Sequence, residues 1–516
     1  MKFKKMLIAL NSNACGSANV KSNFGTNTNV PQHLCVPTLG YDENSISLVW
    51  NKPDNCSNVV DYYVYMDGKK LGRASENNAA NSVAAPYINH FYAEDKEIST
   101  IKPPTTTSKL QIFRLINPTN FTVSIEQKTA PKFTNVVNVA TLGAVGDGKT
   151  VNTEIIQKAI DDCAGTSKSA DGCKVSIPAD PSSSNSIYVT GSLFLKSHMT
   201  LEIEEGATLL GSTNSSDYPM IPSTNDTLRP YALLNTEFNK TFSDIRITGK
   251  GTVDGNGWTK SSSDTTDEIG NKLPNYAHGS DTTWQKLGIL AKNQIQAAVD
   301  KLGGNATAHG VLFNQCTNSV FANVNSQTFD VNNGDGLEVV SSSNTLVYNS
   351  FFDNGDDCLN FACGQGKVTK DVKPVQFTWI LNNFFRQGHG GVVVGSHTGA
   401  WVQDILAEDN VMFLTDNGFR LKSTPATGGG GRRFVFRDTA MREWNDSSLP
   451  YPETFQEYFI FDQLKLTNVK PVNISRLADS SFTNITITNW GNDSSPWNID
   501  NPRMLTFENV DPMYGF

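Results

Sequence analysis

Three aspartates lie close together in one segment, NNGDGLEVVSSSNTLVYNSFFDNGDDCLNFACG, residues 332–364. Asp335 is followed 21 residues later by the adjacent pair Asp356 and Asp357. Carboxylates held close together cannot all ionise freely, so at least one is expected to have a raised pKa and to keep a proton near neutral pH. A proton-holding acid beside ionised carboxylates is what glycoside hydrolysis requires. The segment therefore predicts acid–base chemistry, provided that the fold brings the three groups together.

A histidine and two basic residues follow the acids along the chain. His389 stands between two glycines, and Arg420 and Lys422 are two residues apart, which places both basic residues on one face of a strand. In a protein of formal net charge −9, a guanidinium and an ammonium make a local positive site, and arginine can bind a carboxylate through two parallel hydrogen bonds. The pair predicts an acidic polysaccharide as the partner.

An internal repeat indicates the elements that position these residues. The segments NTLVYNSFFDNGDDCLNF, FTWILNNFFRQGHGGVVV and QDILAEDNVMFLTDNGFRLKS align by eye, with glycines at 355, 388 and 418 and therefore intervals of 33 and 30 residues. Repeats of this length, made of short strands with Asn near the corners, are typical of a right-handed parallel β-helix. A β-propeller would instead show longer blades of four antiparallel strands.

Stacked coils would bring distant residues together, because neighbouring coils lie about 4.8 Å apart. The alignment predicts Asp335, Asp356, His389 and Arg420 on successive coils at nearly the same corner. Neighbours in a regular strand point to opposite faces, so Gly355 is expected to form an irregular corner where both acids of the pair reach one cleft.

Composition favours an all-β protein. Of 516 residues, 38% are hydrophobic, only 18% are charged and 40 are glycine, which suits a turn-rich extracellular protein. Short alternating strands predict a small β-sandwich over residues 31–132, and the repeats predict the parallel β-helix catalytic domain over residues 133–516. One helix is expected after Thr153, with Ile155, Ile156, Ala159 and Ile160 on one face.

The N-terminal segment, residues 1–30, resembles a secretory signal peptide, because three lysines precede a short apolar run in MKFKKMLIAL. We therefore expect a secreted or periplasmic protein. The sequence contains no apolar run of about 18 residues, the length that would predict a membrane helix. The negative net charge argues against nucleic acid as a partner.

Eight cysteines are few for this length, so any disulfides are expected to be local. The pairs close in sequence are Cys35 with Cys56, Cys163 with Cys173, and Cys358 with Cys363. None of these pairs has partner His or Cys residues at zinc-like spacing. We therefore expect neither a metal nor a cofactor.

The charged motifs resemble the four signature motifs of family 28 glycoside hydrolases, the polygalacturonases. They occur in that family's order and are Asn333-Gly334-Asp335, Gly355-Asp356-Asp357, Gly388-His389-Gly390 and Arg420-Leu421-Lys422. Upstream, GAVGDGKTVNTEIIQKAIDDC and GTVDGNGW also resemble the family's first coils. The placement of Trp50 and of Leu115, Pro118 and Phe121 in residues 31–132 resembles a fibronectin type III module. Together with this module, the chain is similar over residues from about 35 to 440 to bacterial exopolygalacturonases.

The resemblance implies roles for the acids. Asp356 is expected to be the general acid that protonates the glycosidic oxygen of polygalacturonate. Asp335 and Asp357 are expected to activate the attacking water, with inversion at the anomeric carbon.

The resemblance also implies roles for the remaining residues of the motifs. His389 is expected to support the hydrogen-bond network of the acid, and Arg420 and Lys422 to hold a substrate carboxylate. Asn333 is a candidate for binding a sugar hydroxyl, although an Asn ladder at a corner of the β-helix explains it equally well.

Two further features favour attack from a chain end. Residues 259–304 form a long insertion before the catalytic coils, and CGQGKVTKDVKP follows the acid pair. Loops of such length usually have a function, and walls at one end of a groove would turn it into a pocket. The insertion could instead pack on the outside of the domain or against the front module.

Three different functions remain open from the sequence. A pectate lyase would need a calcium-binding acid cluster and an arginine base, for which Arg420 is the candidate. A hydrolase could also act on rhamnogalacturonan with the same groups. Finally, a non-catalytic, tailspike-like β-helix could bind polysaccharide without cleaving it.

Overall fold

The computed structural model describes two unequal parts of the chain. In the first part it describes eight strands within residues 19–128. After that it describes residues 133, 135–164, 172–180, 186–212, 214–222, 228–238, 240–256, 265–266, 272–273, 311–322, 324–327, 334–366, 369, 372–413, 415–423, 426–442, 456–475, 477–491, 493–500 and 502–512.

The first eight strands form two antiparallel sheets. They are β1 (Asn19–Lys21), β2 (Gln32–Cys35), β3 (Ser45–Asn51), β4 (Tyr62–Met66), β5 (Lys69–Arg73), β6 (Ile88–Glu94), β7 (Thr107–Arg114) and β8 (Thr122–Lys128). One sheet has the order β2-β3-β6 and the other β1-β8-β7-β4-β5. A small β-sandwich uses such sheets. The assignment to the fibronectin type III class and the domain boundaries stay predictions.

The remaining strands are short and numerous. They are β9 (Asn135–Asn138), β10 (Asp147–Val151), β11 (Cys173–Ile177), β12 (Ser186–Thr190), β13 (Leu193–Phe194), β14 (Met199–Ile203), β15 (Ala207–Gly211), β16 (Met220–Pro222), β17 (Leu228–Pro230), β18 (Leu234–Asn235), β19 (Phe242–Thr248), β20 (Thr252–Asp254), β21 (Thr265–Thr266), β22 (Lys272–Leu273), β23 (Val311–Asn314), β24 (Cys316–Ala322), β25 (Asn325–Gln327), β26 (Leu337–Val340), β27 (Ser343–Tyr348), β28 (Phe351–Asp353), β29 (Asp357–Ala362), β30 (Val375–Leu381), β31 (Phe384–Gln387), β32 (Gly390–Val394), β33 (Val402–Phe413), β34 (Phe419–Leu421), β35 (Gly431–Arg442), β36 (Gln456–Thr467), β37 (Val472–Ser475), β38 (Leu477–Thr488), β39 (Trp497–Asp500) and β40 (Arg503–Asp511).

These strands build a parallel β-helix. A 19-stranded sheet runs from β9 to β40, and a seven-stranded sheet has the order β13-β18-β23-β26-β29-β32-β34. Within these two sheets each strand pairs in parallel with the equivalent strand of the next coil, as β26 does with β29 and β29 with β32. The short pairs β16–β17 and β21–β22 lie outside them and are antiparallel. The predicted all-β class and the parallel β-helix are therefore confirmed.

Inward-facing side chains stack from coil to coil and fill the core. Phe321, Phe352 and Phe385 form one such stack, with ring centroids 5.6 and 5.0 Å apart. In the last coils, Phe461, Phe482 and other aromatic side chains continue the stacking at 4.8 Å. Because the inward-facing apolar side chains of each coil pack on those of the next, the core is continuous along the axis of the domain.

Asparagines mark several corners between strands. Asn318 and Asn344 both have a left-handed backbone, with φ of 56°, which Asn tolerates better than most residues. The amide of Asn344 donates from Nδ2 to Oδ1 of Asn318 at 3.2 Å. Such ladders keep neighbouring coils in step at the turns.

Helix α1 (Thr153–Ala164) packs against the first coils, and two short 3-10 helices span Val139–Leu142 and Ser215–Asp217. The predicted apolar face of α1 is confirmed: Ile156, Ala159 and Ile160 are fully buried, whereas Ile155 is exposed to a greater extent at the edge of this face. Among the residues described, no helix is long and apolar enough to span a membrane.

One of the three candidate cysteine pairs is a disulfide, Cys163–Cys173, which ties α1 to β11. Cys358 and Cys363 are instead separate buried thiols. Both belong to the apolar core of the β-helix. Cys56 and the side chain of Cys35 lie outside what the structure describes, so the Cys35–Cys56 pair stays a prediction.

The repeat alignment predicted from the sequence is correct for one interval and wrong for the next. Asp357 pairs with Gly390, an interval of 33 residues, so Gly355 and Gly388 are in step. However, Gly388 pairs with Thr415, an interval of 27. Gly418 is therefore aligned with Gly391. An alignment of Gly388 with Gly418 is therefore displaced by three residues from the true register.

Candidate active site

The described site residues lie on, or within two residues of, four neighbouring strands of the seven-stranded sheet, β26, β29, β32 and β34. Asp335 lies two residues before β26 and Asp357 begins β29. His389 directly precedes β32, and Arg420 lies within β34. Stacking thus brings together groups that are up to 87 residues apart in sequence, from Asp335 to Lys422.

The register of β26 and β29 decides which acids face each other. Leu337 pairs with Leu359, an interval of 22 residues, and the amide of Gly336 donates to the carbonyl of Asp357 at 2.9 Å. Asp335 therefore stands beside Asp357. The sequence predicted Asp335 and Asp356 at nearly the same corner, and the register agrees, since Asp356 lies one position before the partner of Asp335.

Asp356 lies at the same corner, one position before Asp357, between the segments of Gly334 and His389. Its amide donates to the carbonyl of Gly334 at 3.2 Å, and its carbonyl accepts from the amide of His389 at 2.9 Å. The expected irregular corner is present as a bend of the chain at Gly355 and Asp356, and both members of the acid pair are buried there. Only 3% of Asp335, 6% of Asp356 and 2% of Asp357 is exposed.

Burial and mutual repulsion change the acidity of this cluster. Burial raises the pKa of Asp357 to about 8, and the charges of Asp356 and Asp335 act in the same direction, while Lys422 opposes them. Oδ1 of Asp357 is buried without a hydrogen-bond partner. The cluster therefore keeps a proton at neutral pH, as the sequence predicted.

Lys422 is directly bound to the cluster. Its Nζ donates to Oδ2 of Asp357 at 3.0 Å, and its side chain is 28% exposed. Its amide donates to the carbonyl of Val394, which fixes the backbone against β32. The ammonium can therefore contact both the acid and a ligand in the cleft.

Arg420 points away from the core because its neighbours in β34 point inward. Phe419 packs on Phe436 with ring centroids 5.0 Å apart, and alternation turns the guanidinium to the cleft side. NH1 of Arg420 meets Nε2 of His389, and Nε of Arg420 is buried with no hydrogen-bond partner. Arg420 and Lys422 share one face, as predicted, and both reach the acid cluster or its neighbours.

His389 is held on its other side by Asp416, which sequence reasoning missed. Nδ1 of His389 and Oδ2 of Asp416 are 3.0 Å apart. This contact raises the pKa of His389; burial lowers it, and the charges of Asp356 and Arg420 act in opposite directions. The signal was hidden because the displaced alignment put Asp416 three residues away from its true register beside His389.

Asn360 is a second residue that sequence reasoning missed. It lies on β29, is 9% exposed, and donates from Nδ2 to Oδ2 of Asp335 at 3.2 Å. Its apolar neighbours Leu359 and Phe361 are buried in the core. A polar residue between two inward-facing apolar ones was the available signal for an outward-facing side chain.

The glycine before His389 is required by a close approach of two coils. A Cβ at Gly388 would lie 2.6 Å from Sγ of Cys358 and 2.7 Å from the carbonyl oxygen of Asp356. Any larger residue would push His389 away from the acid pair. The Gly-His-Gly motif therefore has a structural reason beside its chemical one.

Asn333, the remaining predicted site residue, lies outside the described residues, as does most of the insertion at 259–304. The other six predicted residues form one assembly. It offers a buried proton donor, neighbouring carboxylates that can activate water, and two cations for an anionic ligand. This set of groups suits hydrolysis of a glycosidic bond next to a carboxylate.

Comparison with known proteins identifies the family. The model of glycosyl hydrolases family 28 matches residues 168–449, which include every described residue of the assembly. The chain belongs to glycosyl hydrolase family 28. It is therefore a glycoside hydrolase, and the expectations of a lyase or of a non-catalytic binding protein are set aside.

Relatives of this family 28 hydrolase extend the match over almost the whole chain. It is 38% identical to the exo-poly-α-D-galacturonosidase of Dickeya chrysanthemi, over 93% of this chain and 94% of that protein. It is 28% identical to an endo-polygalacturonase of Pectobacterium carotovorum, over 54% of this chain and 66% of that protein. The solved family 28 exopolygalacturonase of Yersinia enterocolitica is 34% identical, with a TM-score of 0.71, over 92% of this chain and 99% of that one.

Proposed function

We propose that this enzyme hydrolyses the α-1,4-galacturonosidic bonds of polygalacturonate and releases short products from a chain end. The observation that carries the proposal is the 38% identity, over nearly the full length of both chains, to an exo-poly-α-D-galacturonosidase. The acid cluster and its two cations are the chemistry that such a substrate needs, since each sugar carries one carboxylate.

In the proposed mechanism, Asp356 gives its proton to the glycosidic oxygen. Water attacks the anomeric carbon from the opposite face and loses a proton to Asp335 or Asp357, which inverts the configuration. In the free enzyme the raised pKa of Asp357 favours a proton on that group. Because Asp356 is adjacent, we propose that the two share one proton, which lies on Asp356 when the bond breaks.

Lys422 and Arg420 bind the substrate carboxylate in this proposal. Lys422 is 28% exposed and its ammonium has donors beyond the one given to Asp357. The Nε donor of Arg420 is buried without a partner, and leaving such a group unpaired is unfavourable. A carboxylate in the cleft would accept from both residues, and rhamnogalacturonan would offer this anion only at alternate sugars.

The same proposal covers the location and the modules of the protein. Polygalacturonate is a polymer outside cells, so the enzyme would act as a secreted or periplasmic protein. The two antiparallel sheets that precede the β-helix would form the fibronectin type III-like module predicted from the sequence.

The experiment compares viscosity with reducing ends during digestion of polygalacturonate. End-on attack predicts a steady release of short products while viscosity falls slowly. A steep early fall in viscosity, together with mixed oligomers, would show internal cleavage and contradict the exo mode. The control is a commercial endo-acting enzyme adjusted to the same rate of reducing-end release.

A further inference from the structure

Asp416 lies at the edge of the site and has no role in the mechanism above. We propose that it is a positioning residue: it fixes the ring of His389, and His389 in turn holds the guanidinium of Arg420 for the substrate carboxylate. The inference rests on the proposed function for the identity of the ligand of Arg420, but the contacts among the three residues are independent of it.

Three hydrogen bonds tie Asp416 and its neighbour to the segment of His389. Oδ2 of Asp416 is 3.0 Å from Nδ1 of His389, and the amide of Asp416 donates to the carbonyl of Gly388 at 2.8 Å. In addition, Nδ2 of Asn417 donates to the carbonyl of His389 at 2.8 Å. The backbone and the ring of His389 are therefore oriented from the same coil, the one that carries Arg420.

The chemistry of the two contacts determines the tautomer of His389. A guanidinium only donates hydrogen bonds, so Nε2 of His389 has to accept from NH1 of Arg420. The imidazole proton then lies on Nδ1 and is donated to Asp416. Without the Asp416 carboxylate, the proton could move to Nε2, where it would face the donors of Arg420 and displace them.

The unsatisfied atom of Arg420 shows why its position matters. Nε of Arg420 is buried without a hydrogen-bond partner, although NH1 is engaged by His389. A guanidinium held through one arm keeps the remaining donors in a fixed orientation, which is what bidentate recognition of a carboxylate requires. Loss of the hold would leave a charged but mobile side chain.

The charges around His389 predict how the arrangement depends on pH. Asp416 contributes most to raising the pKa of His389, Asp356 and Asp357 add to it, and Arg420 lowers it. A protonated ring has two donors and cannot accept from Arg420. Removal of the Asp416 charge should therefore keep the His389 ring neutral, and able to accept from Arg420, down to a lower pH. This holds for a variant that still has a hydrogen-bond acceptor at position 416.

The test uses two substitutions that separate orientation from charge. Asp416→Asn keeps an acceptor for Nδ1–H, and Asp416→Ala removes it. We expect Asp416→Ala to raise KM for a galacturonate oligomer roughly tenfold, the lower end of what loss of a hydrogen bond to a charged group gives, with a smaller change in kcat. We expect Asp416→Asn to stay within about twofold of the wild-type KM at neutral pH and to shift the acid limb of 1/KM to lower pH.

Asp162→Ala is the matched control. The Asp162 side chain is 54% exposed, against 53% for Asp416, and it loses a comparable ion pair, with Lys158. It lies on α1, outside the site, and its KM should equal that of the wild type. A rise in KM equal to that of Asp416→Ala would overturn the proposal, because it would mean that loss of any surface carboxylate has this effect.

A second readout does not depend on catalysis. The ¹⁵N resonances of the histidine side chains, with His389 assigned through His389→Gln, report which ring nitrogen carries the proton. We expect the Nδ1–H tautomer in the wild type and in Asp416→Asn, and a shift toward Nε2–H in Asp416→Ala. An unchanged tautomer in Asp416→Ala overturns the proposal. Failure of the wild type to cleave polygalacturonate would refute the proposed function instead, and the resonances would still decide the positioning role.

Discussion

Replacement of Asp357 by Asn should make the protein more stable at neutral pH and leave its stability unchanged in acid. Asp357 is 2% exposed, and burial with its two acidic neighbours raises its pKa from 3.8 to about 8. An acid with a raised pKa in the folded state destabilises the fold above its unfolded pKa, and the full effect is reached above the folded pKa. The variant removes this effect because an amide does not ionise.

The size of the gain follows from the width of that pH window. At pH 7 the folded protein resists ionisation of Asp357 over roughly three pH units, and at about 1.4 kcal/mol per unit this amounts to about 4 kcal/mol. The opposing charge of Lys422 is already included in that pKa, so no separate loss is subtracted for its bond to Asp357. We therefore expect a gain of about 4 kcal/mol at pH 7 and a gain near zero at about pH 3.5.

The assay is chemical denaturation of the wild type and of Asp357→Asn at both pH values, followed by fluorescence. Asp404→Asn is the control, since Asp404 is also buried but is paired with Arg433 through two bonds of 2.6 Å. That substitution should destabilise the fold at neutral pH. The reasoning is refuted if Asp357→Asn is less stable than the wild type at pH 7, or if its gain is the same in acid.

Three further outcomes are expected. Asp356→Asn should lower kcat by about 10²–10⁴-fold while the fold survives, because the proton donor is lost; a variant with half the wild-type turnover would exclude Asp356 as the acid. Arg420→Ala and Lys422→Ala should each raise KM for polygalacturonate without making neutral galactan a good substrate, and an unchanged kcat/KM in both would remove the carboxylate-binding role. Nuclear magnetic resonance of the first-formed sugar should show the β anomer, and an initial α anomer would contradict inversion.

The β-helix could be predicted from the sequence because successive coils repeat the same pattern of apolar strands and polar corners. Apolar alternation, corner asparagines and the interval between Gly355 and Gly388 all follow from one parallel register, and that register is present. The next interval could not be read in the same way. Coils differ in loop length, so glycines do not always align, and Gly388 pairs with Thr415 instead of Gly418.

The composition of the site was predictable, but its contacts were not. The charged motifs in the sequence identified the three aspartates, His389 and the basic pair as the site residues. The bond of Lys422 to Asp357, the amide of Asn360 on Asp335, and Asp416 on the histidine ring depend on side-chain reach across coils. These contacts can be predicted only when the register between neighbouring coils is known exactly, to the single residue.

The hydroxyl contact of Asn333 and the wall formed by the insertion at 259–304 stay predictions, because Asn333 and most of the insertion lie outside the described residues. The fibronectin type III-like module is represented by eight strands in two antiparallel sheets.

The central claim is hydrolysis of polygalacturonate from a chain end by the aspartate cluster. Digestion in ¹⁸O-labelled water, followed by mass spectrometry of the first products, tests it most directly. Hydrolysis from a chain end predicts short saturated galacturonate products that carry one ¹⁸O at the new reducing end, formed about 10²–10⁴-fold more slowly by Asp356→Asn. Unsaturated products without the label, or long labelled oligomers from the earliest times, would contradict it.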